Sequence, residues 1–252
     1  MPLNAELHAF YTARQQQIPA DIRQIMQLAG QELANSGQVG RALAVGAQAP
    51  LFHLPSAVGN PVSLANLVRT GPVVLSFYRG AWYPYCNIAL RTLQQHHNEI
   101  TARGAHLVAV SPQVPDESLS LAEKHQLAFS VLSDVGSDTA KQYGLAFDLP
   151  DDLAAVYDKL GFDLQRVNGG QPRTLPLPAT YVIDRDGVRP APAGRWPGRA
   201  ARRSLPRAPQ QERTSPRPRA GPLGRSRPAT ASRAETSTAR SRLRRPPLPQ
   251  PR

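Results

Sequence analysis

The sequence predicts an α/β fold, a central sheet flanked by helices, on three observations. From Leu43 to Val188, strand-like apolar runs alternate with helix-like stretches, the signature of a sheet covered on its faces. Residues 72–78, Pro-Val-Val-Leu-Ser-Phe-Tyr, form an apolar strand that ends in a short loop. Directly afterwards Leu90, Leu93, His97 and Ile100 recur at helical spacing, with Gly104 as the stop.

The elements follow in chain order. Ile18, Ile22, Ile25, Met26 and Ala29 fall at helical spacing, which predicts helices over 4–16 and 19–35, with Pro19 suited to the first turn of the second. Gly37 and Gly40 open a linker, so residues 1–40 read as an N-terminal helical extension and 41–188 as the main domain. Within that domain strands are expected at 73–78, 106–111, 129–132 and 179–184, and helices at 86–103, 116–126, 137–143 and 150–160. Pro150, between Asp148 and the pair Asp151 and Asp152, marks a helix start. Asp134 and Asp138 flank Gly136 as a helix cap and its first turn. A loop near 163–177, containing Asn168-Gly169-Gly170, returns the chain to the last strand.

The formal net charge of +12 points at first to nucleic acid. Dividing the chain removes that reading. Residues 189–252 hold 17 Arg, no Lys and only Glu212 and Glu235 as acids, which leaves 13 basic against 16 acidic residues in 1–188, a net charge of −3. The stretch 189–252 also carries 13 of the 26 prolines, and Trp196 is its only aromatic residue. Such a sequence buries too little apolar surface to offset the entropy of ordering it, so a disordered basic tail is expected. Arginine without lysine among Pro, Ala, Gly and Ser is what a GC-rich gene yields in the wrong frame, and we read the tail as a frameshift product beginning near codon 188. The rival is a genuine Arg/Pro-rich tail that contacts nucleic acid or an acidic partner. It lacks repeated Arg-Gly-Gly or Arg-Ser units and interleaved aromatics for base stacking, and resequencing the gene separates the two. After Asp186-Gly187 a hairpin strand and a closing helix are expected. The sequence offers neither, which leaves 179–184 as an unprotected edge.

Cys86 is the only cysteine. It stands where a strand gives way to a helix, in or just before the first helical turn. There, unpaired backbone N–H groups and the helix dipole favour the thiolate, the nucleophilic form. The alternative is a small buried hydrophobe. One unpaired cysteine does not make a disulfide-stapled secreted domain, no secretory signal or membrane span is legible, and a reducing cytoplasm is expected. None of the six histidines pairs with another at i, i+4, and His96 and His97 diverge on a helix, so no metal is expected. No glycine-rich phosphate-binding loop follows a strand, and no cofactor is expected.

The loop Phe77-Tyr-Arg-Gly-Ala-Trp-Tyr-Pro-Tyr-Cys86 resembles that of the AhpC/TSA-like peroxiredoxins, in particular a branch whose loop reads Trp-Cys-Pro-Tyr-Cys. The similarity extends through Val45–Phe52, Gly59–Leu64, His106–Pro112, Val131–Asp134 and Pro178–Asp184, over about residues 40–188. It implies a thioredoxin-like fold with a mixed sheet and thiol-dependent reduction of hydrogen peroxide or organic hydroperoxides. Cys86 matches the peroxidatic cysteine, whose sulfenic acid an external thiol such as thioredoxin or glutathione would reduce. Members of this group often form homodimers.

Two departures stand out. Tyr83 occupies the position of the usual Thr, Ser or Cys, so no intramolecular disulfide can form. Pro178 stands where many members carry an arginine that keeps the cysteine ionised. Arg79 is the candidate replacement for that charge, or else a solvated surface residue. Trp82, Pro84 and Tyr85 are candidates to line a peroxide or reductant groove, or else pack the loop. The expected activity is therefore that of a one-cysteine peroxidase. The alternatives are a redox-inactive thioredoxin-fold scaffold with Cys86 buried and, less favoured, a thiol-disulfide oxidoreductase.

Overall fold

The computed structural model describes residues 2–171 and 173–189. At its centre is a five-stranded sheet in the order β5-β4-β3-β8-β9, formed by Val73–Phe77 (β3), His106–Ser111 (β4), Ser130–Ser133 (β5), Ala179–Asp184 (β8) and Gly187–Arg189 (β9). β3, β4 and β5 run parallel, while β8 lies antiparallel to β3 and β9 antiparallel to β8. The sheet is thus mixed. Two short antiparallel pairs lie outside it: β1 (His53–Pro55) with β2 (Pro61–Ser63), and β6 (Ala146–Asp148) with β7 (Thr174–Pro176).

Side chains of a strand alternate between faces, and β3 builds two cores in this way. Val73, Leu75 and Phe77 pack with Leu64, Val108, Val110, Leu132, Tyr143 and Ile183. Val74 and Tyr78 face the other way, toward Cys86, Leu90, Leu93 and Ile100. These last residues come from α5 (Pro84–Gln95) and α6 (His97–Ala102). Leu90 and Ile100 are 1% and 0% exposed, and burial of each contributes about 1.5–3 kcal/mol.

The extension forms α1 (Leu3–Gln17) and α2 (Ala20–Asn35), followed by the single turn α3 (Gln38–Arg41). Ile22, Ile25, Met26 and Ala29 of α2 pack against a third core that includes Leu153, Val156 and Tyr157 of α9 (Asp151–Lys159). No residue of α1 is buried. It meets α5 through an edge-to-face contact of Phe10 with Tyr85, centroids 5.1 Å apart, and through Glu6 and Arg91 at 3.6 Å. No helix among the described residues is long and apolar enough to cross a membrane.

The structure corrects several expectations. The helix placed at 86–103 begins at Pro84, whose fixed φ suits a first turn, and it breaks at His96, where ψ is 1°. The short helix α4 (Leu64–Thr70) precedes β3. The loop placed at 163–177 contains α10 (Leu164–Val167) and β7, elements too short to display a period. β8 is not wholly an open edge, because Gly187–Arg189 pairs with Val182–Asp184. The remaining helices are α7 (Pro115–Lys124) and α8 (Asp138–Gln142). Asp134 caps α8 as the sequence suggests, with Oδ1 accepting from the Thr139 N–H and Oδ2 from the Ala140 N–H. The Arg/Pro-rich stretch from residue 190 onward, with the expected disorder and frameshift, lies outside the described residues, as does the place of a closing helix.

Candidate active site

β3 delivers the chain to a tight loop, residues 78–83, that leads into α5. Tyr83 is the N-cap residue and Pro84 the first helical one, so Cys86 lies in the first turn and its N–H donates to the Tyr83 carbonyl at 2.9 Å. The loop folds back on the cysteine, and the Arg79 N–H donates to Sγ at 3.4 Å. Two side chains fix this shape. Asn87 Nδ2 donates to the Ala81 carbonyl at 2.8 Å, and the buried Gln113 accepts from the Ala81 N–H through Oε1. Gly80 makes the turn at φ 141°. A Cβ there would lie 2.6 Å from Trp82 Nε1 and 2.9 Å from Gln113 Cδ, so no other residue fits without displacement.

Cys86 is 4% exposed. Burial pushes its thiol up, and the Arg79 N–H, the Arg79 guanidinium and the Gly80 N–H only partly offset this. Here the structure corrects the sequence reading: the helix start alone favours the thiolate, but in this closed arrangement desolvation outweighs it.

Arg79 is not a solvated surface charge. Its Nε is buried without a hydrogen-bond partner, and Cζ lies 5.0 Å from the ring centroids of both Tyr83 and Phe147. No carboxylate among the described residues pairs with it. Tyr157 of α9 completes the cage, its hydroxyl interacting electrostatically with the guanidinium. Tyr83 therefore carries the arginine on its ring face, and no hydrogen bond joins its hydroxyl to Cys86 among the described residues. Burial raises the pKa of Tyr83 and of Tyr157, so both stay neutral phenols.

The remaining predicted residues part company. Trp82 turns toward α9 and packs on Tyr157 and Phe162, at 5.3 and 5.4 Å. Tyr85 lies between Phe10 and Tyr83. Pro84 lines a groove of about 430 Å³ between α1 and α5, together with Glu6, Phe10, Asn87, Arg91 and His125. Thr180, opposite Ser76 on β3, meets its Oγ at 3.2 Å.

Residues 45–188 match the AhpC/TSA family. The chain belongs to that family. Within it, the chain is 29% identical over 143 residues to a chloroplastic peroxiredoxin Q of Sedum lineare and 28% identical over 155 residues to another of Triticum aestivum. Those alignments cover 57% and 62% of this chain but 64% and 61% of the plant proteins, less than two thirds of their length. A Mycobacterium tuberculosis protein named among the peroxiredoxins is 32% identical over 145 residues, 58% of this chain and 81% of that one. Among solved structures, peroxidoxin BcpB of Mycobacterium tuberculosis superposes with a TM-score of 0.47 at 26% identity, covering 58% of this chain and 82% of that one.

Gln113, Asn87, Phe147 and Tyr157 were not singled out from the sequence. For Gln113 a signal existed: it lies two residues beyond the C-terminal end of β4, on the side of a parallel sheet where α/β sites assemble. Tyr157 sits in the apolar stripe Leu153-Val156-Tyr157 of α9 and reads as core.

Proposed function

We propose that this AhpC/TSA-family chain is a thiol-dependent peroxidase with Cys86 as its single peroxidatic residue. One observation carries the reading most directly. A partly buried arginine, its Nε buried and with no carboxylate partner among the described residues, stands beside a cysteine in the first turn of a helix, and the thiolate is the anion that would balance it. In the reaction, Sγ attacks one oxygen of the substrate O–O bond. An S–O bond forms, the O–O bond breaks, and the leaving alkoxide or hydroxide takes a proton from water. The sulfur is oxidised to a sulfenic acid and the peroxide is reduced. With no second cysteine, an external thiol displaces the sulfenic oxygen as water, and a second equivalent reduces the mixed disulfide. Hydrogen peroxide and organic hydroperoxides are the proposed substrates, with thioredoxin or glutathione as the reductant, in a reducing compartment such as the cytoplasm. Association as a homodimer belongs to the same proposal.

A second reading, a redox-inactive scaffold, is favoured by the burial of Cys86 and the upward push on its thiol. Thiol-dependent consumption of peroxide by the full-length protein and by Cys86→Ser separates the two. The peroxidase reading requires turnover that the serine variant loses. Equal, background-level consumption by both proteins supports the scaffold.

A further inference from the structure

We propose that Tyr157 and Phe147 are positioning residues that hold the Arg79 guanidinium against Cys86, so that the β6–α9 segment supplies the part of the active site that sets the charge at sulfur. The proposal rests on the reading of Cys86 as the reacting thiol.

An arginine side chain carries about 2 kcal/mol of rotamer entropy, and one not anchored by a carboxylate turns toward water. Arg79 does neither. It is stacked between the ring faces of Tyr83 and Phe147, both 5.0 Å from Cζ, and cation–ring contacts strengthen when desolvated. Tyr83 belongs to the loop itself. Phe147 comes from β6 and Tyr157 from α9, both remote in sequence. Tyr157 is 3% exposed and fixed by Trp82 and Phe162, with ring centroids at 5.3 and 6.1 Å. α9 is braced from behind by α2 through Ile22, Ile25 and Met26. A continuous path of packed groups therefore runs from the N-terminal extension through Tyr157 to Arg79 and sulfur.

The groups facing Cys86 and Arg79 are Tyr78 at the end of β3, Tyr83 in the loop and Tyr157 on α9. Burial holds all three phenols protonated beyond the usual range. Among these groups of the described residues, Arg79 alone carries a charge while the thiol titrates.

The test is the pH midpoint of Cys86 alkylation by iodoacetamide on full-length wild type, Arg79→Met, Tyr157→Phe, Phe147→Leu and the Arg79→Met/Tyr157→Phe double variant, with circular dichroism reporting the fold. Loss of a neighbouring cation raises a thiol midpoint, and a rise of about one pH unit would slow Arg79→Met alkylation at pH 7 about tenfold. Tyr157→Phe and Phe147→Leu each slow it at least about threefold by the same displacement of charge. The double variant is no slower than Arg79→Met alone, because both act through one group. Midpoints unchanged in Tyr157→Phe and Phe147→Leu overturn the proposal, as does an unchanged midpoint in Arg79→Met. Should Tyr157→Phe unfold, Phe147→Leu decides. A wild-type Cys86 that alkylates normally but ignores peroxide refutes the peroxidase reading while leaving these midpoints to be compared.

Discussion

Replacing Gly80 with alanine tests whether the loop around Cys86 is as tightly built as described. At φ 141° a residue with a Cβ is strained by about 1–3 kcal/mol. The new methyl would lie 2.6 Å from Trp82 Nε1, 2.8 Å from Trp82 Cδ1 and 2.9 Å from Gln113 Cδ. Neither neighbour yields readily. The indole is wedged against Tyr157 and Phe162, and Gln113 is 1% exposed and bonded to the Ala81 N–H. Overpacking of this kind adds about 1–3 kcal/mol, so Gly80→Ala loses about 2–6 kcal/mol in urea unfolding unless the loop gives way. If it gives way, the Arg79 N–H to sulfur contact opens and iodoacetamide labels Cys86 faster. A variant within about 0.5 kcal/mol of wild type, with unaltered labelling, refutes the described loop geometry.

Three further outcomes follow from the same structure. The Cys86 thiol is raised on folding, so the stability it contributes is complete below the unfolded value of about 8.5 and is lost as pH rises through the folded value. Denaturant titrations at pH 7 to 10 should show this decline in wild type and not in Cys86→Ser. Asp134→Ala removes the acceptor of two helix N–H groups and costs about 1–2 kcal/mol in urea unfolding at pH 7. Burial also raises the Asp134 carboxyl, so part of the wild-type stability falls as pH rises from about 4 through the folded value, and the alanine variant lacks that slope. Phe10→Ala loses an edge-to-face contact of about 0.5–1.5 kcal/mol, and hydrogen exchange should then quicken across residues 3–17, since α1 has no buried side chain to retain it.

The fold was legible in the sequence where elements are long and periodic. The strands at 73–78, 106–111 and 179–184 and the helix after Cys86 were expected within a few residues of their observed bounds, because apolar runs and 3.6-residue spacing report burial directly. β6, β7 and α10 were not, since three or four residues cannot display a period and the pairing of Ala146 with Pro176 is long-range. The position of Cys86 could be read from the strand–loop–helix order. Its ionisation could not, because the upward push comes from packing by Tyr78, Leu90 and Val74, which local sequence does not encode. Arg79 illustrates the same limit. Charged residues near a loop read equally as surface or site, and only the remote Phe147 and Tyr157 turn this one inward.

The central claim is best tested by exposing the full-length protein to stoichiometric hydrogen peroxide, trapping with dimedone and locating the adduct by mass spectrometry, with free cysteine as the reference. The account predicts a sulfenic-acid adduct on Cys86 that forms within the time free cysteine is consumed and disappears when reduced thioredoxin or glutathione is added before the trap. No adduct on Cys86 in the time that free cysteine is consumed would contradict it.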